Sequence, residues 1–218
     1  MDNIRATDQA KSKKNVLIRA WQYLKTGKRD GKQDESSLGD IFIAVMGPTG
    51  AGKSSFINAV TGRAEAVVGH SLESCTKDLQ EFKMPMPLEL ANKYPRLSSL
   101  NIVLVDTPGF DNSDLDDSEI LQRMALWLKN RRAQGVTISG IIYMQESTRT
   151  TLKVLKQLLN IDYRRFILVT TSDEVLLPEE GSQEQTRSKL WKEFVENGAA
   201  IFPATAHSKI LEYIVSLA

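Results

Sequence analysis

From Ile41 onward the chain carries continuous apolar runs of strand length, at Ile41 to Met46, Ile102 to Val105, Ile138 to Tyr143, Phe166 to Val169 and Ala199 to Phe202. A strand that is apolar on successive residues buries both of its faces, the condition of a parallel sheet covered by helices on either side. Helix-length patterns fill the gaps: after the glycine-rich segment at Gly47, from Ser118 to Arg132, from Thr151 to Leu159, from Gln183 to Glu196, and from Ser208 to the end. Leu79 to Met84 instead alternates apolar and polar residues and reaches the Ile102 run through a proline-rich loop. That alternation predicts an antiparallel edge strand. With right-handed crossovers the whole reads as an α/β fold, a mostly parallel central sheet with one antiparallel edge strand and helices on both faces.

Residues 1–39 follow a different pattern. A polar start leads to an apolar-aromatic patch at Val16, Leu17, Ile18, Trp21, Tyr23 and Leu24, followed by a charged stretch. Leu17, Trp21 and Leu24 fall at helical spacing, so this segment reads as an N-terminal helix that docks on the domain, then a linker. Lys11, Lys13, Lys14, Lys25, Lys28 and Arg29 flank it and read as a solvated face. The expected division is residues 1–39 as helix and linker and 40–218 as one nucleotide-binding domain, for which 218 residues supply an ample core.

Composition changes this picture only by exclusion. A net charge of +1 gives no pull toward nucleic acid or anionic lipid, so no nucleic-acid partner is expected. Cys75 is the sole cysteine, which rules out an internal disulfide and points to a reducing, cytoplasmic setting. No apolar run approaches the roughly 20 residues that cross a bilayer, so neither a membrane span nor secretion is expected within these residues.

The chemistry starts at Gly47-Pro48-Thr49-Gly50-Ala51-Gly52-Lys53-Ser54. Gly-x-x-x-x-Gly-Lys-Ser between a strand and a helix is the phosphate loop, or P-loop. Its glycines let backbone N–H groups close around phosphate, and the following helix, through Ser55, turns its positive end to the anion. Lys53 is expected to neutralise the β- and γ-phosphates. Ser54 offers a hydroxyl to Mg²⁺, which prefers octahedral oxygen ligands.

Four further segments complete the expected site. Asp106-Thr107-Pro108-Gly109 follows a strand, where Asp106 would hold Mg²⁺ through water and the Gly109 N–H would approach a γ-phosphate. Within Val68-Gly69-His70-Ser71-Leu72-Glu73-Ser74-Cys75-Thr76, the Thr76 hydroxyl is the candidate to complete the Mg²⁺ shell. Lys53, Thr76 and Gly109 form the expected catalytic set. Thr170-Thr171-Ser172-Asp173 ends another strand, where the Asp173 carboxylate would accept hydrogen bonds from the N1–H and exocyclic amine of guanine. Adenine lacks that donor pair and would leave the carboxylate unpaired, at a cost of roughly 1–3 kcal/mol. Asn-Lys-x-Asp is the usual guanine reader, and here Thr171 replaces the lysine whose stem packs beside the base. Ala204-Thr205-Ala206-His207 follows the last strand and is expected to touch the base through the backbone of Thr205 and Ala206.

Together these segments, over roughly residues 40 to 215, resemble the translation-factor-related class of P-loop GTPases. Ser74-Cys75-Thr76, Asp106 to Gly109 and Thr170-x-x-Asp173 are similar to its septin-like branch, which includes immunity-associated GTPases and chloroplast import receptor GTPases. The run Val68 to Thr76 is most similar to uncharacterised fungal G-domain-containing proteins. The resemblance implies a G domain binding GTP or GDP with Mg²⁺, and a switch controlled by homodimerisation across the nucleotide face or by a protein effector.

One departure bears on mechanism. Ras-like GTPases orient the attacking water with a glutamine just after Asp-x-x-Gly, whereas Phe110 stands here and can form no such hydrogen bond. Slow hydrolysis is therefore expected, with His70 a candidate to place water and Arg149 a candidate charge stabiliser for a neighbouring subunit. Two other functions fit the P-loop: an ATP-using enzyme, which Asp173 argues against, and a nucleotide-bound scaffold with negligible turnover.

Overall fold

The computed structural model describes residues 39–66, 78–110, 117–132, 136–145, 162–170 and 192–218. The expected N-terminal helix, the helix at 151–159 and most of that at 183–196 lie outside the described residues.

Chain order runs β1 (Ile41–Met46), α1 (Lys53–Thr61), β2 (Gln80–Pro85), α2 (Leu88–Lys93), β3 (Asn101–Asp106), α3 (Asp117–Arg132), β4 (Ile138–Gln145), β5 (Phe166–Thr170), β6 (Ala200–Pro203) and α4 (His207–Ser216). The six strands form one sheet in the order β2-β3-β1-β4-β5-β6. All neighbours pair in parallel except β2 and β3, so the alternating segment is the antiparallel edge that its pattern predicts.

The central strands are apolar throughout because each side of the sheet has its own cover. Ile41, Ile43 and Val45 of β1 join Phe56 and Ile57 of α1 and Ile210, Leu211 and Ile214 of α4 in one core. Ala44 and Met46 join Ile120 and Met124 of α3, with Phe194 and Ala199, in a second. Phe42 packs with Val103 and Val105 and stacks near Trp127 of α3, ring centroids 6.3 Å apart. Asp40, just before β1, ties that end of the strand to β3 and to β2 beyond it, accepting from the backbone and side-chain nitrogens of Asn101 and pairing with Lys83 Nζ at 2.7 Å. Burial works against its charge, but the bonds from Lys83 and Asn101 outweigh it and hold the carboxyl below its ordinary range.

The proline-rich connection from β2 to β3 departs from expectation, for it is α2 and a turn of 3-10 helix at Pro95–Leu97 rather than a plain loop. Prolines marked the segment as irregular, yet a helix start tolerates proline, whose missing N–H has no helical partner there. Pro87 caps α2 and its carbonyl accepts from Ala91 N at 2.8 Å, while Leu90 is buried against the first core.

After α1 the chain is gripped once more before it leaves toward residue 67. Asn58 Nδ2 donates to Ala66 O and Asn58 Oδ1 accepts from Ala66 N, both at 2.9 Å. Asn58→Ala breaks both bonds and strands two backbone groups beside a buried residue. The expected cost is about 1–2 kcal/mol, read as a lower urea midpoint at unchanged slope; an unaltered midpoint would show that the clamp contributes nothing.

Candidate functional site

β1 and β3 lie side by side, but the chain leaves them for opposite faces of the sheet, β1 toward α1 and β3 toward α3. Such a divergence opens a crevice at the carboxyl ends of the two strands. The Gly47–Ser54 loop rises from β1 and the Asp106–Phe110 segment from β3.

The loop owes its shape to glycines at particular points. Gly47 has φ 147°, and a Cβ on it would lie 2.1 Å from the carbonyl oxygen of Met144 in β4. Gly50 and Gly52 have φ 83° and 82°, the left-handed region that glycine adopts at least cost. Gly52 opens α1 without any side-chain cap, so the helix presents its first N–H groups to the crevice. Ala51 is buried, Gly50 and Ser55 are exposed.

Lys53 folds back under this loop and is only 7% exposed. Its ammonium donates to the carbonyls of Gly47 at 3.1 Å and Pro48 at 2.9 Å. Burial pushes the amine down to about 8, with the Asp106 carboxylate pulling the other way. A cation held in a place that disfavours its charge is poised for an anion, whose arrival reverses the penalty.

Ser54 Oγ donates to Asp106 Oδ2 at 2.9 Å, so residues from two loops bring a hydroxyl and a carboxylate together. Asp106 is 1% exposed, and Thr107 beside it is anchored by its own hydroxyl on Val45 O at 2.9 Å. This all-oxygen pair fits a hard divalent cation such as Mg²⁺.

Two backbone bonds join the loops directly. Phe110 N donates to Gly47 O at 3.1 Å, and Thr49 N donates to Phe110 O at 2.9 Å. The approach leaves no room at Gly109, where a Cβ would sit 2.4 Å from Thr49 Oγ1 and 2.6 Å from its Cα. The Phe110 ring points away into the second core and is fully buried.

A second corner of the same edge forms at β5 and β6. Ala204 N donates to Thr170 O at 2.8 Å, which sets Thr205 and Ala206 beside the end of β5. The His207 ring then meets Phe56 of α1 edge-on, centroids 5.3 Å apart. Thr170 Oγ1 is buried with no hydrogen-bond partner among the described residues. Thus Gly47, Thr49 to Ser55, Asp106 and Gly109 assemble at one end of the crevice, and Thr170, Thr205 and Ala206 line the same carboxyl edge. Thr76, Thr171 and Asp173, with His70 and Arg149, lie outside the described residues. Sequence reasoning missed the Gly109–Thr49 approach and the His207–Phe56 contact; each depends on residues distant in the chain, and only the glycine hinted at the first.

Comparison with known proteins agrees with this geometry. A family model described as "50S ribosome-binding GTPase" matches residues 42–172. The mitochondrial tRNA modification GTPase gtpbp3 of Dictyostelium discoideum is 31% identical over 107 residues, 49% of this chain and 19% of that protein. Interferon-gamma-inducible GTPase 10 of Mus musculus is 35% identical over 86 residues, 38% of this chain and 18% of the relative. The chain therefore spans about a fifth of the length of the curated relatives it matches. Toc33 from Arabidopsis thaliana, solved in complex with GDP and Mg²⁺, shares the fold with a TM-score of 0.53 at 16% identity, over 91% of this chain and 94% of its own.

Proposed function

The chain belongs to the 50S ribosome-binding GTPase family, and from that premise we propose that it works as a switch whose output is a nucleotide-controlled binding event. Its G domain binds and hydrolyses GTP, as the family does. The observation that carries the switch reading is the direct bonding of the phosphate loop to the Asp106–Phe110 segment. Any group seated between these loops must change how they meet, which is how a terminal phosphate controls a surface.

In this reading Lys53 and the N–H groups at the start of α1 hold the phosphates. Ser54 and Asp106 would hold Mg²⁺, whose charge there offsets that of the β- and γ-phosphates. Gly109 meets the terminal phosphate through its backbone, and Thr76 adds a hydroxyl to the Mg²⁺ shell. Thr170, Thr171, Asp173, Thr205 and Ala206 receive guanine. Hydrolysis is slow because the fully buried Phe110 ring cannot orient water. That same burial favours a second reading, a nucleotide-bound scaffold with negligible turnover, which single-turnover hydrolysis separates from the first.

Motifs at Ser74 to Thr76, Asp106 to Gly109 and Thr170 to Asp173 support placing the chain in the septin-like branch, near the immunity-associated and chloroplast import receptor GTPases. In that setting two copies would meet across the nucleotide face, with Arg149 serving the neighbour's phosphates. Dimerization is important for the GTPase activity of the chloroplast translocon components atToc33 and psToc159, and this chain's dimer is proposed by analogy. Residues 1–39 would form a docking arm on a G domain at 40–218, working in the cytoplasm and read by a protein effector. No helix among the described residues is long and apolar enough to cross a membrane.

The test is titration with fluorescent GDP, GTP and ATP in Mg²⁺, with sedimentation in each state. Asp173→Asn is expected to weaken guanine-nucleotide binding about 10- to 100-fold, because the carboxylate's paired hydrogen bonds are lost. Equal binding of ATP by the wild-type chain, or indifference to Asp173→Asn, would sink the guanine assignment. Dimers confined to the GTP state would support the switch; their absence would remove homodimerisation from it.

A further inference from the structure

Thr49 is the one residue of the stretch Thr49 to Gly52 with a polar side chain. Its Oγ1 is buried and has no hydrogen-bond partner among the described residues. Folding gains nothing from an unpaired buried hydroxyl and loses its hydration, so such a group calls for a ligand to explain it. Three neighbours define what that ligand is. Lys53 Nζ lies against the carbonyls of Gly47 and Pro48, which places the loop's cation next to Thr49. The backbone of Gly109 sits on the other side, so close that a Cβ there would lie 2.4 Å from Oγ1. Thr49 N bonds to the carbonyl of Phe110, the residue standing where a water-orienting glutamine would be.

An anion drawn to Lys53 and reaching the Gly109 backbone must therefore pass Thr49 Oγ1. In the proposed binding mode the β-phosphate would sit at the uncapped α1 end of the loop, leaving the side toward Gly109 for a phosphate farther out. We propose that the Thr49 hydroxyl donates a hydrogen bond to the terminal phosphate of GTP and so distinguishes triphosphate from diphosphate. This rests on the GTP-binding reading and deepens it: the chain takes part of its nucleotide-state specificity from a phosphate-loop side chain, on the side of the site where Phe110 offers only backbone. A hydroxyl that serves a group GDP lacks would have no partner among the described residues until that group arrives.

The experiment compares the full chain with Thr49→Val, which keeps the shape and loses the hydroxyl, and Thr49→Ser, which keeps the hydroxyl. Each is titrated with GDP and with a non-hydrolysable GTP analogue in Mg²⁺, and each is unfolded by urea without nucleotide. Thr49→Val is expected to bind the analogue about tenfold more weakly while GDP affinity stays within about twofold, and Thr49→Ser to retain the wild-type preference. Without nucleotide, Thr49→Val should be at least as stable as wild type, since its hydroxyl has no partner to lose among the described residues. Equal losses for both nucleotides, no loss for either, or a less stable nucleotide-free Thr49→Val would each overturn the proposal. Failure of the wild-type chain to bind either guanine nucleotide would overturn the underlying reading with it, and only that outcome does so.

Discussion

Lys53→Ala is expected to weaken binding of GTP and GDP together by roughly 10² to 10³-fold while leaving the nucleotide-free fold intact. Charge-assisted hydrogen bonds contribute about 1.5–3 kcal/mol each, and in the proposed site the ammonium serves two phosphates. Their combined loss, taken at the lower end of that sum at about 3–4 kcal/mol, gives the stated range. The wild-type fold meanwhile carries a cation that burial disfavours, as the lowering of the amine to about 8 records. Removing it takes one of the bonds from each of the Gly47 and Pro48 carbonyls, which keep those from Phe110 N and Ala51 N, and opens a small space, but it also relieves that desolvation. These effects oppose one another, so the unfolding midpoint should move little. Lys53→Arg should fail almost as badly in binding, since a planar guanidinium does not fit the space a slim ammonium occupies between two carbonyls. Isothermal titration paired with urea unfolding checks both halves. An alanine variant that binds GTP within threefold of wild type would take Lys53 out of the phosphate site.

The same residues show how far the sequence could be read. β1, β3, β4 and β5 were legible because both faces of the sheet are covered there, which forces continuous apolar runs, and β2 was legible from its alternation; β6, read as buried, is a half-buried edge strand, because no strand lies beyond it. The observed bounds of all six differ from the expected ones by only a residue or two at each end. The phosphate loop was legible because its chemistry is local, several backbone N–H groups and a lysine within eight residues. Other features were not, for each depends on a contact across the fold. Phe110 could be recognised as unable to place water, but its role as a plug in the core under α3 follows only from Ile120, Met124 and Tyr143 meeting it. The proline-rich stretch before Ile102 reads as a loop because proline punctuates loops, and Leu90 overrides that by burying one face of α2. The Gly109 requirement is set by Thr49, on a different loop, and no spacing rule couples them.

Gly47→Ala should be the most damaging small substitution in the chain, destabilising it by about 3 kcal/mol or more and abolishing nucleotide binding. The added methyl would sit 2.1 Å from Met144 O and 3.1 Å from its carbonyl carbon. Those are backbone atoms of a central strand, with Met46 paired to Tyr143 one residue earlier and Met144 itself 1% exposed. Nothing there can swing aside as a side chain would. Alanine also resists φ 147°, so local strain adds to the collision. The damage spreads because the Gly47 carbonyl accepts from both Lys53 Nζ and Phe110 N, and any shift of that residue unseats the loop's cation and its link to the β3 segment. Gly62 provides the control. It too has positive φ, at 67°, but a Cβ there meets nothing within 4 Å. Gly62→Ala should therefore cost only the left-handed strain, about 1 kcal/mol. Urea unfolding of the two variants separates strain from collision. Equal destabilisation would mean that the contact with Met144 does not hold the phosphate loop in place, and that the geometry of β4 has no part in shaping the site.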